Sequence, residues 1–309
     1  MKEHITPERN TRGYTELADI VTKDMMVHQG IYFEPSVPGK TAIAWVHGLT
    51  GKFYSEPAFI RAVTEQCEAR GYGFASFNTR GHDYVTSVHK LDKSKPEGYV
   101  YETIGASVET FTDCVFDLDA VVSFLVGKGY ENVILVGHST GANKVCYYAA
   151  AGERPNLGGI VLAGPMSDRY SAGFDEVQHG KHRAFMEKKI REGNGDEILT
   201  GFDFFPLTPK RWMSLLAEGS AEDVFNYRDE TDPLSTFSRI RIPVLTVFGE
   251  KDEHADRPIE EIRESFGRHT RSDNYGSLVI PDADHGFSGK EHEFIKSVLD
   301  WVGTLVSEG

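Results

Sequence analysis

Ser139, Asp252 and His285 stand in the chain order serine, acid, histidine. That set can transfer an acyl group. A serine hydroxyl is a weak nucleophile at neutral pH, so it needs a base for its proton, and the base needs a carboxylate to fix its tautomer. Ser139 lies at the centre of Gly137-His138-Ser139-Thr140-Gly141. An apolar, β-branched run, Asn132-Val133-Ile134-Leu135-Val136, precedes it, and a helix-forming run rich in small residues follows at 142–151. Gly-x-Ser-x-Gly between a strand and a helix marks a very sharp turn that strains the serine backbone and lifts its hydroxyl above the sheet. The two glycines let strand and helix approach closely. The bland alternative, a serine that only caps the helix, is disfavoured by this flanking context.

The other two groups follow strands as well. Asp252 lies in Gly249-Glu250-Lys251-Asp252-Glu253-His254, after the apolar run 242–248. His285 lies in Pro281-Asp282-Ala283-Asp284-His285-Gly286-Phe287, after the run 275–280. His285 is the expected base and Asp252 its orienting acid. Glu250 and Glu253 flank that acid and Asp168 follows an earlier strand, so the acid position has competitors. Acyl transfer also needs donors for the oxyanion. The amides of Thr140 and Leu49 are the expected pair, with Gly48 letting the backbone come near. His47 and His82 read as loop-bracing histidines. His179 and His182 read as a solvated helix face, since no third ligand makes them a metal site.

These residues must be positioned by alternating strands and helices. Further apolar runs at 41–46, 72–77 and 159–163 read as buried strands, and 25–33 reads as an antiparallel edge strand. Helical spacing appears at 57–70, 111–128 and 294–306. Repeated alternation predicts a mostly parallel sheet with helices on both faces, and ligands then bind beyond the carboxyl ends of the strands. Residues 1–20 read as a loosely held polar arm and 84–103 as a long surface loop. The alternation breaks before 242, which predicts an inserted, mainly helical cap at 165–235 on a core made of 1–164 and 236–309. Helices are expected there at 175–191 and 209–218. Phe204, Phe205 and Trp212 are candidates to line an apolar substrate pocket, or else to form the core of the cap.

Composition narrows the function classes. The 309 residues carry a formal charge of −14, which lacks the footprint of a nucleic-acid binder. No stretch has the length and apolarity of a membrane span. Cys67, Cys114 and Cys146 are widely spaced, so free thiols in a reducing, cytoplasmic setting are expected. No phosphate-cradling glycine loop is present. The expected partner is a small-molecule ester or lactone, with no cofactor, metal, nucleic acid or membrane, and a homodimer is left open.

His47-Gly48, Arg80-Gly81-His82, the Gly137–Gly141 pentapeptide, Gly249-x-x-Asp252 and Asp284-His285-Gly286 together resemble the α/β-hydrolase superfamily across nearly the whole chain. Gly-His-Ser-Thr-Gly with the following Ala-Asn-Lys is similar to a branch that includes fungal siderophore-ester hydrolases, and feruloyl-type esterases carry comparable triads and caps. The resemblance implies an α/β-hydrolase fold with a mostly parallel, eight-stranded type of sheet, and a serine hydrolase that cleaves a carboxylic ester or lactone through an acyl-enzyme. The rivals are acyl transfer to an acceptor other than water, and a ligand-sensing module of the same fold with little turnover.

Overall fold

The computed structural model describes residues 13–170 and 174–307. Its strands are β1 (Tyr14–Val21), β2 (Val27–Glu34), β3 (Thr41–Val46), β4 (Gly73–Phe77), β5 (Thr86–Leu91), β6 (Tyr99–Ile104), β7 (Asn132–His138), β8 (Leu157–Ala163), β9 (Val244–Gly249) and β10 (Tyr275–Ile280). Its helices are α1 (Pro57–Arg70), α2 (Cys114–Gly127), α3 (Thr140–Ala150), α4 (Glu176–Arg191), α5 (Pro209–Leu216), α6 (Ile259–His269) and α7 (Glu291–Ser307).

Eight strands form one sheet in the order β1-β2-β4-β3-β7-β8-β9-β10. From β4 to β10 every pairing is parallel, and β1 and β2 join antiparallel. Strand β7 shows why the central runs are continuously apolar. Val133 and Leu135 face a core with Leu118, Val122, Leu125 and Val145 of α2 and α3. Ile134 and Val136 face the opposite core, with Phe59 and Val63 of α1 and Phe294 and Val298 of α7. A strand covered on both faces has no polar side to show. Each such side chain contributes about 1.5–3 kcal/mol by its burial.

Three parts of the chain differ from the sequence expectation. The expected arm folds as β1 from Tyr14 onward and pairs along its length with β2; the rest of that expectation, 1–12, lies outside the described residues. The edge strand is therefore β1, and β2 sits one place inward. Only Ile20 of β1 is buried, with Ala18 partly so against the same core, and two apolar residues make no hydrophobic run to read. The expected loop at 84–103 holds an antiparallel hairpin, β5 with β6. It is held by a ladder in which His89 stacks on Tyr99, with ring centroids 4.0 Å apart, and by the turn at Asp92, whose carboxylate accepts from the Ser94 amide at 2.9 Å. Helix α6, passed over in the sequence, buries Ile262 and Phe266.

Between β8 and β9 the chain builds α4 and α5 around a separate small core of Met186, Phe205, Leu207, Trp212 and Leu215. Asp175 caps α4 by accepting from the Gln178 amide, and Thr208 caps α5 by accepting from Arg211. Among the described residues no helix is long and apolar enough to cross a membrane.

Candidate active site

Strand order puts the carboxyl ends of β3, β7, β8, β9 and β10 side by side. The loops leaving them carry Leu49, Ser139, Asp168, Asp252 and His285. All of these except Asp252 line one cavity of about 680 Å³. Asp252 lies directly beneath, its side chain without solvent exposure.

Ser139 sits between β7 and α3 with φ 55° and ψ −126°, a backbone state that costs about 1–3 kcal/mol for a residue with a side chain. The surrounding glycines are what permit it. A Cβ on Gly137 would stand 2.6 Å from the carbonyl carbon of Gly141, and one on Gly141 would stand 2.6 Å from the His47 oxygen. Both contacts are below any real approach, so the turn closes only on bare backbone.

His285 Nδ1 lies 2.8 Å from Asp252 Oδ2. The other Asp252 oxygen accepts from the His254 amide at 3.0 Å. The carboxylate therefore places the imidazole proton on Nδ1 and leaves Nε2 as the acceptor. Burial opposes the charged ring, but the bond and charge of Asp252 outweigh it and raise the His285 pKa above the ordinary imidazole value. Gly164, at φ 58°, supplies the room: a Cβ there would come 2.9 Å from His285 Cε1.

The competing acids have other work. Glu253 accepts from the His285 amide at 3.0 Å, and Glu250 accepts from the Asp282 amide at 2.8 Å. Glu250 and Lys251 in turn donate their amides to Ile280 and Ala283. The acid loop and the histidine loop are thus fastened backbone to backbone. Asp168 bonds Asn143 Nδ2 at 2.6 Å; burial first, and then the neighbouring Glu222, push its pKa up to about 7.

His138 Nε2 donates to the His285 carbonyl at 2.8 Å, and its ring stacks on Trp45. Burial holds its pKa down at about 4, so it stays neutral and braces the histidine loop. His47 Nδ1 reaches the Gly48 carbonyl at 2.9 Å while Nε2 receives the Thr79 amide at 3.0 Å. His82 bonds the Thr79 carbonyl at 2.8 Å, and Arg80 grips buried Asp117 on α2, Nη2 to Oδ1 at 2.8 Å. These loop histidines brace, as their sequence setting implied.

Thr140 and Leu49 both line the cavity. Of the three aromatic candidates, Phe204 and Trp212 also line it. Phe205 does not: it is 2% exposed and packs into the small core under α5, where it stacks on Tyr84 at 6.0 Å. The pocket assignment of Phe205 is corrected on that ground. His179 and His182 depart from the expected solvated face, since both turn to the cavity, and His179 Nε2 donates to the Leu216 carbonyl at 2.9 Å. Helical spacing alone could not reveal an inward-turned polar face. Among the described residues no group of three or more His, Cys, Asp or Glu side chains is set to hold a metal ion. A second hollow of about 300 Å³ lies between β1 and α2.

A family model described as "Protein of unknown function (DUF1749)" matches residues 88–306. The chain belongs to this family. The DUF1749 match spans Ser139, Asp252 and His285, while His47-Gly48-Leu49 lies before it. No curated protein matches the chain significantly by sequence. Solved structures do match its fold. Est1E from Butyrivibrio proteoclasticus, solved with ferulic acid, is 18% identical over 94% of this chain and 100% of that one, with a TM-score of 0.63. The siderophore hydrolase EstB from Aspergillus fumigatus is 14% identical over 94% and 98%, also at 0.63. The Pyrococcus furiosus esterase Pf2001 is 16% identical over 94% and 91%, at 0.58. At such identities the likeness carries the fold, and this member of the DUF1749 family has the α/β-hydrolase fold.

Proposed function

We propose that the chain is a serine hydrolase that cleaves a carboxylic ester or lactone through an acyl-enzyme. The observation that carries the reading is the 2.8 Å bond from His285 to Asp252 beside a serine at φ 55° on the same cavity. In this reading Ser139 Oγ attacks the acyl carbon and His285 Nε2 takes its proton. The amides of Leu49 and Thr140 hold the oxyanion. As the carbon–oxygen bond breaks, His285 returns the proton to the leaving oxygen. Water then attacks the acyl-enzyme, giving a proton to His285, and Ser139 leaves with that proton as the free acid forms.

Residues 165–235 act in this reading as a cap on a core of 1–164 and 236–309, with Phe204 and Trp212 on the substrate side. The names of the esterases with this fold favour small-molecule esters. The three cysteines are buried and unpaired, which supports a reducing, cytoplasmic setting. The test is turnover of p-nitrophenyl acetate together with labelling by a fluorophosphonate probe. Wild type should react in both assays and Ser139→Ala in neither, with an unchanged melting temperature. A labelled Ser139→Ala protein sinks the assignment.

A further inference from the structure

The oxyanion-side loop is tied to a buried cation at the far end of a chain of hydrogen bonds. Lys144, on α3, is 1% exposed. An ammonium buried without partners costs several kcal/mol, and Lys144 has one anion: Glu109 Oε2 at 2.8 Å. The other Glu109 oxygen accepts from Arg211 Nη2 at 3.0 Å, and Arg211 also pairs with Glu222 Oε1 at 2.9 Å. The cluster holds two cations and two anions, so its charges balance without further contacts.

Lys144 nevertheless makes one more bond, to Thr79 Oγ1 at 3.3 Å. A hydroxyl that accepts from an ammonium turns its own proton elsewhere, and His47 Nε2 lies 3.2 Å from that oxygen. The same ring nitrogen receives the Thr79 amide at 3.0 Å, so Nε2 is the unprotonated one and Nδ1 carries the hydrogen. Nδ1 then donates to the Gly48 carbonyl at 2.9 Å, where the Gly51 amide adds a second bond at 3.0 Å. That carbonyl belongs to the peptide unit whose N–H is Leu49's. Among the described residues the Leu49 amide donates to no other group, and a Cβ on Gly48 would stand 3.0 Å from Ser139 Cβ.

Building on the hydrolase reading, we infer that Lys144, acting through Thr79 and His47, is a positioning residue for the Gly48–Leu49 peptide and strengthens its N–H toward the oxyanion. Every bond in the chain donates in one direction, from ammonium to hydroxyl to imidazole to carbonyl, and aligned bonds polarise one another. Donation into a peptide carbonyl draws electron density from its nitrogen and makes the N–H a better donor. Arg211 sits on α5, so a residue between β8 and β9 holds the group that feeds this peptide.

Thr79→Val tests this with the loss of one oxygen, since the Thr79 amide still fixes the His47 tautomer. The expected result is kcat for p-nitrophenyl acetate at about a tenth of wild type with KM within about twofold. Thr79→Ser should restore the rate. Lys144→Met should lower kcat similarly, and the double variant should be no slower than the worse single one, because the chain is already cut. In parallel, the Leu49 amide proton and Gly48 carbonyl resonances of labelled protein should shift in Thr79→Val and return in Thr79→Ser. An unmoved Leu49 resonance, a loss in KM alone, or fully additive losses would overturn the inference. Wild-type protein that turns over no ester and takes no fluorophosphonate would sink the hydrolase reading instead, and the resonances would still decide this one.

Discussion

The two walls of the cavity are built by different means. On the sheet wall, Ser139, His285 and the Gly48–Leu49 peptide are placed by backbone: a positive φ at Ser139, glycines without room for a Cβ, and amides of two loops bonded across to each other. On the opposite wall, residues of α4, α5 and the segment between them are placed by side-chain packing around Met186, Phe205 and Leu215. Backbone placement tolerates little change without losing the turn itself, whereas a packed cluster can exchange one ring for another at modest cost. In the proposed hydrolase reading, the chemistry would then be fixed on one wall and substrate selection free to vary on the other. Behind the cavity the two sides are joined, because Arg211 of α5 pairs with Glu109, which also holds Lys144 of α3.

The largest effect that would break this contrast lies on the sheet wall. Ser139→Ala should cost kcat about 10⁴-fold or more, because triad members act as a unit; stopped-flow turnover of an activated ester measures it. Asp252→Asn should cost roughly 10³–10⁴-fold. It should also move the acid limb of kcat/KM to lower pH. The carboxylate raises the His285 pKa, so its removal lets the ring lose its proton sooner as pH rises. A limb that stays in place would mean that Asp252 does not set the base.

The opposite wall should separate into two behaviours. Trp212→Ala, whose ring both lines the cavity and packs in the small core, should lower stability, raise KM for bulky aryl esters roughly 10-fold to 100-fold, and leave the kcat of acetate esters within about twofold. Phe205→Ala, which removes a ring from the packed core, should lower stability by about 3–5 kcal/mol but leave the KM ratio between aryl and acetate esters near its parent value. Denaturant melts and paired Michaelis curves decide, and identical behaviour of the two variants would refute the division.

The smallest effect concerns Asp168. Its carboxyl keeps a proton up to about pH 7 when folded, while the unfolded chain loses it near the ordinary value of about 3.9. Between those limits the folded state binds more protons, so stability falls as pH rises. Asp168→Asn should thus raise Tm more at pH 8 than at pH 5, which calorimetry at the two values checks. An equal change at both would show that the carboxyl is ionised throughout.

The sheet wall was the legible one. Gly137–Gly141 with its flanking runs, and the polar residues just past 248 and 280, are local patterns whose geometry follows from steric rules. What escaped the sequence needed partners distant in the chain. Strand β1 has one buried apolar residue and is recognisable only from β2 beside it. The hairpin at 86–104 rests on His89 and Tyr99, ten residues apart. Phe205 and Phe204 are neighbours with opposite fates, one packed and one 76% exposed, and no periodicity separates adjacent rings in an irregular segment. The inward turn of His179 depends on the Leu216 carbonyl, a contact that spacing within α4 does not contain.

The fastening of the acid loop to the histidine loop has a consequence for motion. The amides of Glu250, Lys251, Asp282 and His285 are each bonded to the other loop, so neither can open to solvent while the other stays closed. Their amide hydrogens should therefore exchange together, as one cooperative opening unit. On that footing a fluctuation should leave the Asp252–His285 pair either whole or undone.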